Sequence, residues 1–100
     1  MNTKITEKDG RILLSVSGEL DTLAAASFQE DVEPLMKRSS EGLNVEVDLS
    51  ELNYIASKGL RVFLMFHQEI TSHGGTVKVT NVTDTVREVF ELTGFSKIFF

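Results

Sequence analysis

The segment from Leu43 to Leu49 alternates strictly between apolar and polar residues, and this alternation limits what the chain can fold into. Successive side chains of a β-strand point to opposite faces, so the pattern predicts one buried face and one face in water. A strand covered by helices on both faces would be apolar throughout. Thr76–Thr80 alternates in the same way. We therefore expect helices on one face of the sheet only, which disfavours a doubly wound nucleotide-binding fold.

The order of the remaining segments predicts a mixed sheet. Lys8-Asp9-Gly10 is typical of a tight hairpin turn, here between a strand at Arg11–Ser17 and a weaker edge strand at Thr3–Glu7. Helical segments separate the later strands, which implies parallel pairing with right-handed crossovers. The expected class is α/β, close to a two-layer α+β arrangement, with an N-terminal antiparallel hairpin and one domain over all 100 residues.

The first helix is expected to begin at a capping residue, Asp21 or Thr22. Pro34 should kink this helix or end it near Glu33, because proline has no N–H to donate. The spacing of its apolar residues predicts an inward stripe. That stripe comprises Leu23, Phe28, Val32 and Leu35.

Two further helices follow. The second is expected from Ser57, as its cap, to about His73, before the glycine pair at residues 74–75. The third should begin near Thr83 or Asp84 and stop at Gly94. Its inward residues are Val86, Val89 and Phe90, and Phe95 should fold back on it. Residues 96–100 form either a last strand or a docked tail.

The second helix is apolar on nearly all sides. Its sheet-facing stripe is predicted to comprise Leu60, Phe63, Leu64, His67 and Ile70. Val62, Met65 and Phe66 lie off that stripe, where a helix of a two-layer domain should be polar. Either neighbouring helices bury these residues, or they belong to a protein-binding surface.

Composition excludes several functions. There is no cysteine, so disulfides and thiolate metal sites are impossible. The formal net charge is −5, and Lys37-Arg38 is the only adjacent basic pair, which argues against nucleic acid as a partner. No signal-peptide pattern or membrane-spanning run is present, so a cytoplasmic protein without direct membrane insertion is expected.

No pattern of catalytic or cofactor-binding residues emerges. Asp48 is interpreted as a solvent-exposed strand residue and Glu51 as a turn residue. His67 is interpreted as a residue at the edge of the core, and His73 as a residue at the end of a helix. No nucleophile triad, zinc motif or phosphate-cradling glycine loop is present. We therefore expect no enzyme activity, no cofactor and no metal.

Ser57 has two interpretations. It can be the helix cap, whose hydroxyl accepts a backbone N–H. It can also be a phosphorylation site, because a phosphate at a helix N-terminus meets free N–H groups and the positive end of the dipole. The residues alone do not require the second role.

Several short segments, taken in order, carry a likeness to a known family. They are Gly18-Glu19-Leu20-Asp21, Val47-Asp48-Leu49-Ser50, Ile55-Ala56-Ser57-Lys58-Gly59-Leu60, Gly74-Gly75 and Val86-Arg87-Glu88-Val89-Phe90-Glu91-Leu92-Thr93-Gly94. With these segments the chain resembles the STAS domain, the fold of bacterial anti-sigma-factor antagonists, over nearly its whole length. The resemblance implies a STAS-like fold and a non-catalytic regulator of transcription.

The resemblance also implies partners and sites. An anti-sigma factor with serine kinase activity would phosphorylate Ser57, and a serine phosphatase would reset the switch. Asp21 matches an acidic position at the partner surface. The partner-binding residues expected on this basis are Asp21, Asn53, Tyr54, Ala56, Ser57, Lys58, Arg61, Val62 and Met65.

The chain departs from the family pattern beside Ser57. The family usually has Asp-Ser-[Ser/Thr/Ala]-Gly, whereas this chain has Ala56-Ser57-Lys58-Gly59. The missing aspartate leaves an alternative open, a STAS subunit of a membrane transport complex of the ABC lipid type, without a phosphoswitch. The chain is also expected to lack a final family helix. Either Phe99-Phe100 takes the place of that helix, or an apolar groove is left exposed.

Overall fold

The structure is a computed structural model and describes residues 1–99; the expectation for Phe100 falls outside this range. A mixed sheet carries the helices. Its strands are β1 (Asn2–Lys8), β2 (Arg11–Leu20), β3 (Asn44–Asp48), β4 (Leu52–Ile55) and β5 (Thr76–Thr80). The helices are α1 (Thr22–Lys37), α2 (Ser57–Ser72), α3 (Asp84–Thr93) and α4 (Ser96–Phe99), with a 3₁₀ turn at Ser39–Glu41.

The N-terminal hairpin is confirmed. β1 pairs antiparallel with β2, and the pair Lys8 and Arg11 closes the turn. Asp9 and Gly10 have φ angles of 53° and 76°. Positive φ at both turn residues matches the twist of the flanking strands, which is why an Asp-Gly pair is favoured there.

β2 is the central strand of the sheet. It pairs in parallel with β3 over Arg11–Ser15 and, after an irregularity between Gly18 and Glu19, with β4. β5 pairs in parallel with β3. The predicted mixed sheet with parallel crossovers is therefore confirmed, whereas the sequence did not predict β4.

Helices cover one face of this sheet, as the alternation predicted. Along β3 the side chains are alternately exposed and buried, with Val45 and Val47 in the core. An aromatic cluster lies between the helices on the covered face. Phe28 of α1 packs against Phe63 of α2 at a centroid distance of 4.9 Å. The face that carries Asn44 and Glu46 stays in water.

One prediction about α1 is wrong, and one of two alternatives for Pro34 is excluded. Leu23 is 86% exposed, since the inward stripe runs through Phe28, Val32 and Leu35, and the buried residue of the first turn is Ala25. Pro34 does not end the helix, which continues to Lys37. Pro34 faces solvent, so water can bind the carbonyl left free by its missing N–H, and burial of Leu35 stabilises the last turn.

The flank of α2 divides between core and surface. Val62 and Phe66 are buried, at 6% and 0% exposure. These two residues therefore belong to the core and not to a protein-binding surface. Leu64, predicted to face the sheet, is only half-buried, and Met65 is 40% exposed.

The C-terminal segment is a short helix and not a strand. α4 follows α3 after Gly94, whose φ of 80° ends the preceding helix as predicted. Phe99 is 8% exposed and lies edge-on to Phe63 at 6.3 Å. The docked-tail interpretation is therefore correct for residues 96–99, since Phe99 closes the aromatic cluster.

Candidate functional site

Two helices begin side by side at the carboxyl ends of two parallel strands. β2 and β4 run parallel there, with Leu20 opposite Ile55, and the N–H of Ala56 donates to the carbonyl of Leu20 at 2.9 Å. α1 follows β2 directly and α2 follows β4 directly. This pairing brings Asp21 next to the Ala56–Ser57 step.

The start of α1 is capped by a side chain. Oδ1 of Asp21 accepts the backbone N–H of Ala24 at 2.8 Å, which confirms one of the two predicted caps. α3 is capped similarly, because the hydroxyl of Thr83 accepts the N–H of Val86 at 3.5 Å. The same hydroxyl donates to the carbonyl of Leu52 at 2.9 Å and so ties α3 to β4.

The start of α2 is different, and the prediction that Ser57 caps it is wrong. The cap residue is Ala56, with φ −90° and ψ 166°, and no side chain caps the helix. The carbonyl of Ala56 accepts the N–H of Leu60 at 3.0 Å. The backbone bond to Leu20 keeps Ala56 extended, so the helix begins one residue later and Ser57 is its first helical residue, exposed to solvent.

Gly59 fixes α2 tightly against the strand ends. A Cβ atom at this buried position would lie 2.7 Å from Cγ of Leu20 and 3.2 Å from Cγ1 of Ile55. Only a residue without a side chain allows this approach. The first turn of α2 is therefore held by backbone packing, and Ser57, Lys58 and Arg61 are left exposed.

Most residues of the predicted partner surface share this exposed region. Ala56 is half-buried, whereas Val62 is buried and cannot contribute its side chain to a surface. Those that are exposed are Asp21, Asn53, Tyr54, Ser57, Lys58, Arg61 and Met65. Asn53 and Tyr54 belong to β4, so a strand and two helix starts supply the surface.

Leu23, predicted to face the core, is a surface residue. It borders a shallow depression of about 560 Å³ beside Asp21. The depression is lined by Met1, Gly18, Glu19, Asp21, Leu23, Ala24 and Ser27. A signal was available, because Leu23 stands five positions before Phe28 and so falls outside the i, i+3, i+4 spacing of a helix face.

Acidic and histidine side chains elsewhere have structural surroundings. Oδ1 of Asp48 accepts the N–H of Ser50 at 2.9 Å, and this bond lowers the pKa of the carboxyl. Burial lowers the pKa of His67, whose ring lies edge-on to Phe99 at 5.2 Å. Within residues 1–99, no group of three or more histidine or acidic side chains could hold a metal ion.

No helix in residues 1–99 is both long enough and apolar enough to span a bilayer.

The family comparison agrees with this geometry. The family model described as "Mlab, STAS domain" matches residues 3–99. The chain belongs to the STAS domain family. Among curated proteins it is similar to the anti-sigma-B factor antagonist of Bacillus subtilis, with 26% identity over 98 residues, which cover 98% of this chain and 87% of the relative.

Solved structures show the same fold. A putative anti-sigma factor antagonist from Thermotoga maritima superposes with a TM-score of 0.85 at 23% identity, over 97% of this chain and 82% of that one. The Bacillus cell fate determinant SpoIIAA in its phosphorylated form gives a TM-score of 0.75 at 17% identity, over 99% and 89%. These relatives are described as anti-sigma factor antagonists, a class of non-catalytic proteins.

Proposed function

We propose that this protein is an anti-sigma-factor antagonist whose binding to an anti-sigma factor is controlled by phosphorylation of Ser57. One observation carries the proposal. Ser57 is exposed at the first helical position of α2, and its hydroxyl has no capping role there. A residue in this position can be modified without loss of a contact that stabilises the fold.

The proposed switch needs a partner with kinase activity. The Ser57 hydroxyl oxygen attacks the γ-phosphorus of ATP, the bond to the bridging oxygen breaks, ADP leaves, and the hydroxyl proton passes to solvent or to a kinase base. Hydrolysis by a serine phosphatase restores the hydroxyl and releases phosphate. The exchange takes place in the cytoplasm, where the sigma factor acts.

The surface around Ser57 supports a protein partner. It combines exposed apolar area at Tyr54 and Met65, which are 47% and 40% exposed, with the cations of Lys58 and Arg61. Aromatic, methionine and arginine side chains are enriched at the centres of protein interfaces. A phosphate carries about −1.5 to −2 charges at pH 7, so its addition here changes which surface can dock.

A second candidate is a STAS subunit of a membrane transport complex. Two observations favour it. The matching family model is described as "Mlab, STAS domain" and not as an anti-sigma factor antagonist. Ala56 stands where the switch proteins usually carry aspartate, so no carboxylate precedes the serine. In this case the exposed start of α2 would contact another subunit without phosphate control.

Purification of the tagged protein from its native host separates the two candidates. Recovery of an anti-sigma factor with a kinase domain supports the proposed function, and recovery of an ATPase with a permease supports the alternative. Ser57→Asp should then weaken binding of the purified anti-sigma factor about 5- to 150-fold, while Ser57→Ala keeps it. Ser40→Asp is the matched control, because Ser40 is an exposed serine in the 3₁₀ turn that follows α1.

A second pair of variants tests the docking surface. Met65→Lys should reduce affinity for the same partner without unfolding the protein, because Met65 is 40% exposed. Leu92→Lys is its control, since Leu92 is 80% exposed on α3. Calorimetric titration with equal effects from both lysines would show that Met65 does not belong to the interface.

A further inference from the structure

We propose that a phosphate on Ser57 is bound by Arg61 and Lys58 of the same helix, so that phosphorylation removes both cations from the partner surface. This inference rests on the proposed function, since it concerns the phosphorylated state of that switch. It concerns how the added charge acts, which the proposed function leaves open.

The spacing along α2 brings the side chains of Ser57 and Arg61 close together. Ser57 and Arg61 are four residues apart on α2. Residues at this spacing are neighbours on one helix face, with Cβ atoms about 5–6 Å apart. Helical side chains also lean toward the N-terminus, which directs the guanidinium of Arg61 toward Ser57. Guanidinium groups bind phosphate oxygens through two parallel hydrogen bonds.

Lys58 adds a second cation at the adjoining position. Both Lys58 and Arg61 are exposed. Within residues 1–99 the ion pairs join Arg38 to Glu7 and Glu41, and His73 to Glu69, and neither Lys58 nor Arg61 takes part. The only acidic residue of α2 is Glu69, three turns away from Ser57. A phosphate at Ser57 therefore meets two cations with no competing carboxylate on the same helix.

The carboxylate of Asp21, at the same end of the sheet, does not prevent this contact. Asp21 lies nearby at the start of α1, but its Oδ1 already accepts the N–H of Ala24. In this chain Ala56 stands before the serine, so the carboxylate usual in the family pattern is absent from the adjoining position. The carboxylate of Asp21 keeps its negative charge while it caps α1, so the two cations of α2 outnumber the one acidic group named at this end of the sheet.

This contact determines how phosphorylation changes the charge at the start of α2. Before modification the first turns of α2 present about two positive charges, and the phosphate supplies about the same negative charge. Modification therefore brings the charge of the first turns of α2 close to zero, and the carboxylate of Asp21 on α1 is left without a cation on α2 to balance it. A partner that contacts Lys58 and Arg61 through carboxylates loses both contacts at once.

The test uses protein with phosphoserine incorporated at position 57 during translation, so that no cognate kinase is required. A ³¹P NMR titration gives the second pKa of the phosphate in the folded protein and in urea. Nearby cations favour the dianion, so the pKa should be lower in the folded state. Arg61→Gln should raise it by about 0.3 units, and Lys58→Gln should raise it by less, because adjacent residues on a helix do not face each other. Lys78→Gln, an exposed lysine on β5, removes the same charge away from the site and should leave it unchanged.

Equal pKa values in the wild type, Arg61→Gln and Lys58→Gln would overturn the inference, since the phosphate would then point into solvent. An equal rise in the Lys78→Gln control would also overturn it, because the effect would then come from net charge. Neither result affects the proposed function, which fails separately if no phosphate is found on Ser57 in cells.

Discussion

The starts of α1 and α2 lie next to each other and are held in place in different ways. Each helix directly follows a strand at the same end of the sheet, and each has free backbone N–H groups in its first turn. α1 uses a side chain, because Asp21 accepts the N–H of Ala24. α2 uses backbone packing, because Ala56 is hydrogen-bonded to Leu20 and Gly59 lies against Leu20 and Ile55.

This difference shows how a modifiable residue can be placed without weakening the fold. At α1 the polar residue is occupied by its capping bond, so a change there alters stability. At α2 the strand and the glycine position the helix, which leaves the hydroxyl of Ser57 available to a partner. We expect substitutions at the two starts to separate stability from recognition.

The largest expected effect is at the glycine that anchors α2. Gly59→Ala should lower the free energy of unfolding by about 2 kcal/mol, because its Cβ would meet Leu20 and Ile55 and the cost exceeds the gain in helix propensity. Urea denaturation measures it. In a Leu20→Ala background the added cost should disappear, since the clash is relieved. A stabilised Gly59→Ala protein would show that α2 is not anchored by this contact.

The next effect is at the cap of α1. Asp21→Ala should cost about 1 kcal/mol of stability, because the N–H of Ala24 loses its acceptor. Asp21→Asn retains an acceptor oxygen and should cost less. Thermal melts of both variants give the comparison. Equal losses would assign the effect of Asp21 to its charge and not to the capping bond.

The start of α2 should gain from a cap that it lacks. Ala56 has φ −90° and ψ 166°, close to the capping geometry of Thr83 at φ −66° and ψ 155°. Ala56→Ser should therefore stabilise the protein by about 0.5–1 kcal/mol. The midpoint of urea unfolding is the measurement, and a decrease would mean that the half-buried site cannot accept a hydroxyl.

The smallest effect is expected at Ser57 itself. Ser57→Ala should change stability by less than about 0.5 kcal/mol, because the side chain is exposed and does not cap the helix. The same melts that show a loss for Asp21→Ala should show almost none here. A loss near 1 kcal/mol would indicate that Ser57 caps α2 after all.

Features that depend on neighbours in the sequence were predictable. The Asp9-Gly10 turn and the Asp21 and Thr83 caps each follow from local backbone requirements. The single wet face of the sheet follows from an alternation that needs no knowledge of the partner strand. The segment around Ser57 could be singled out because it resembles the motif of a known family, and its role as the functional site stays a prediction.

Features that depend on distant contacts were not. β4 has only four residues and its burial does not alternate, so its pairing with the distant β2 could not be seen in the sequence. That pairing keeps Ala56 extended and moves the helix start past the predicted cap. The sequence predicted Val62 at the surface because spacing along α2 alone does not show which other elements bury its side chain.

The bond between Ala56 and Leu20 has a consequence for natural variation at this site. Because the hydroxyl of Ser57 does not contribute to folding, selection for stability should not act against alanine or glycine at this position. The reverse holds for Gly59, two residues later, because its replacement would destabilise every relative that shares the contact. Retention of serine among close homologues would therefore measure selection for regulation, and its loss would mark lineages in which the switch has been abandoned.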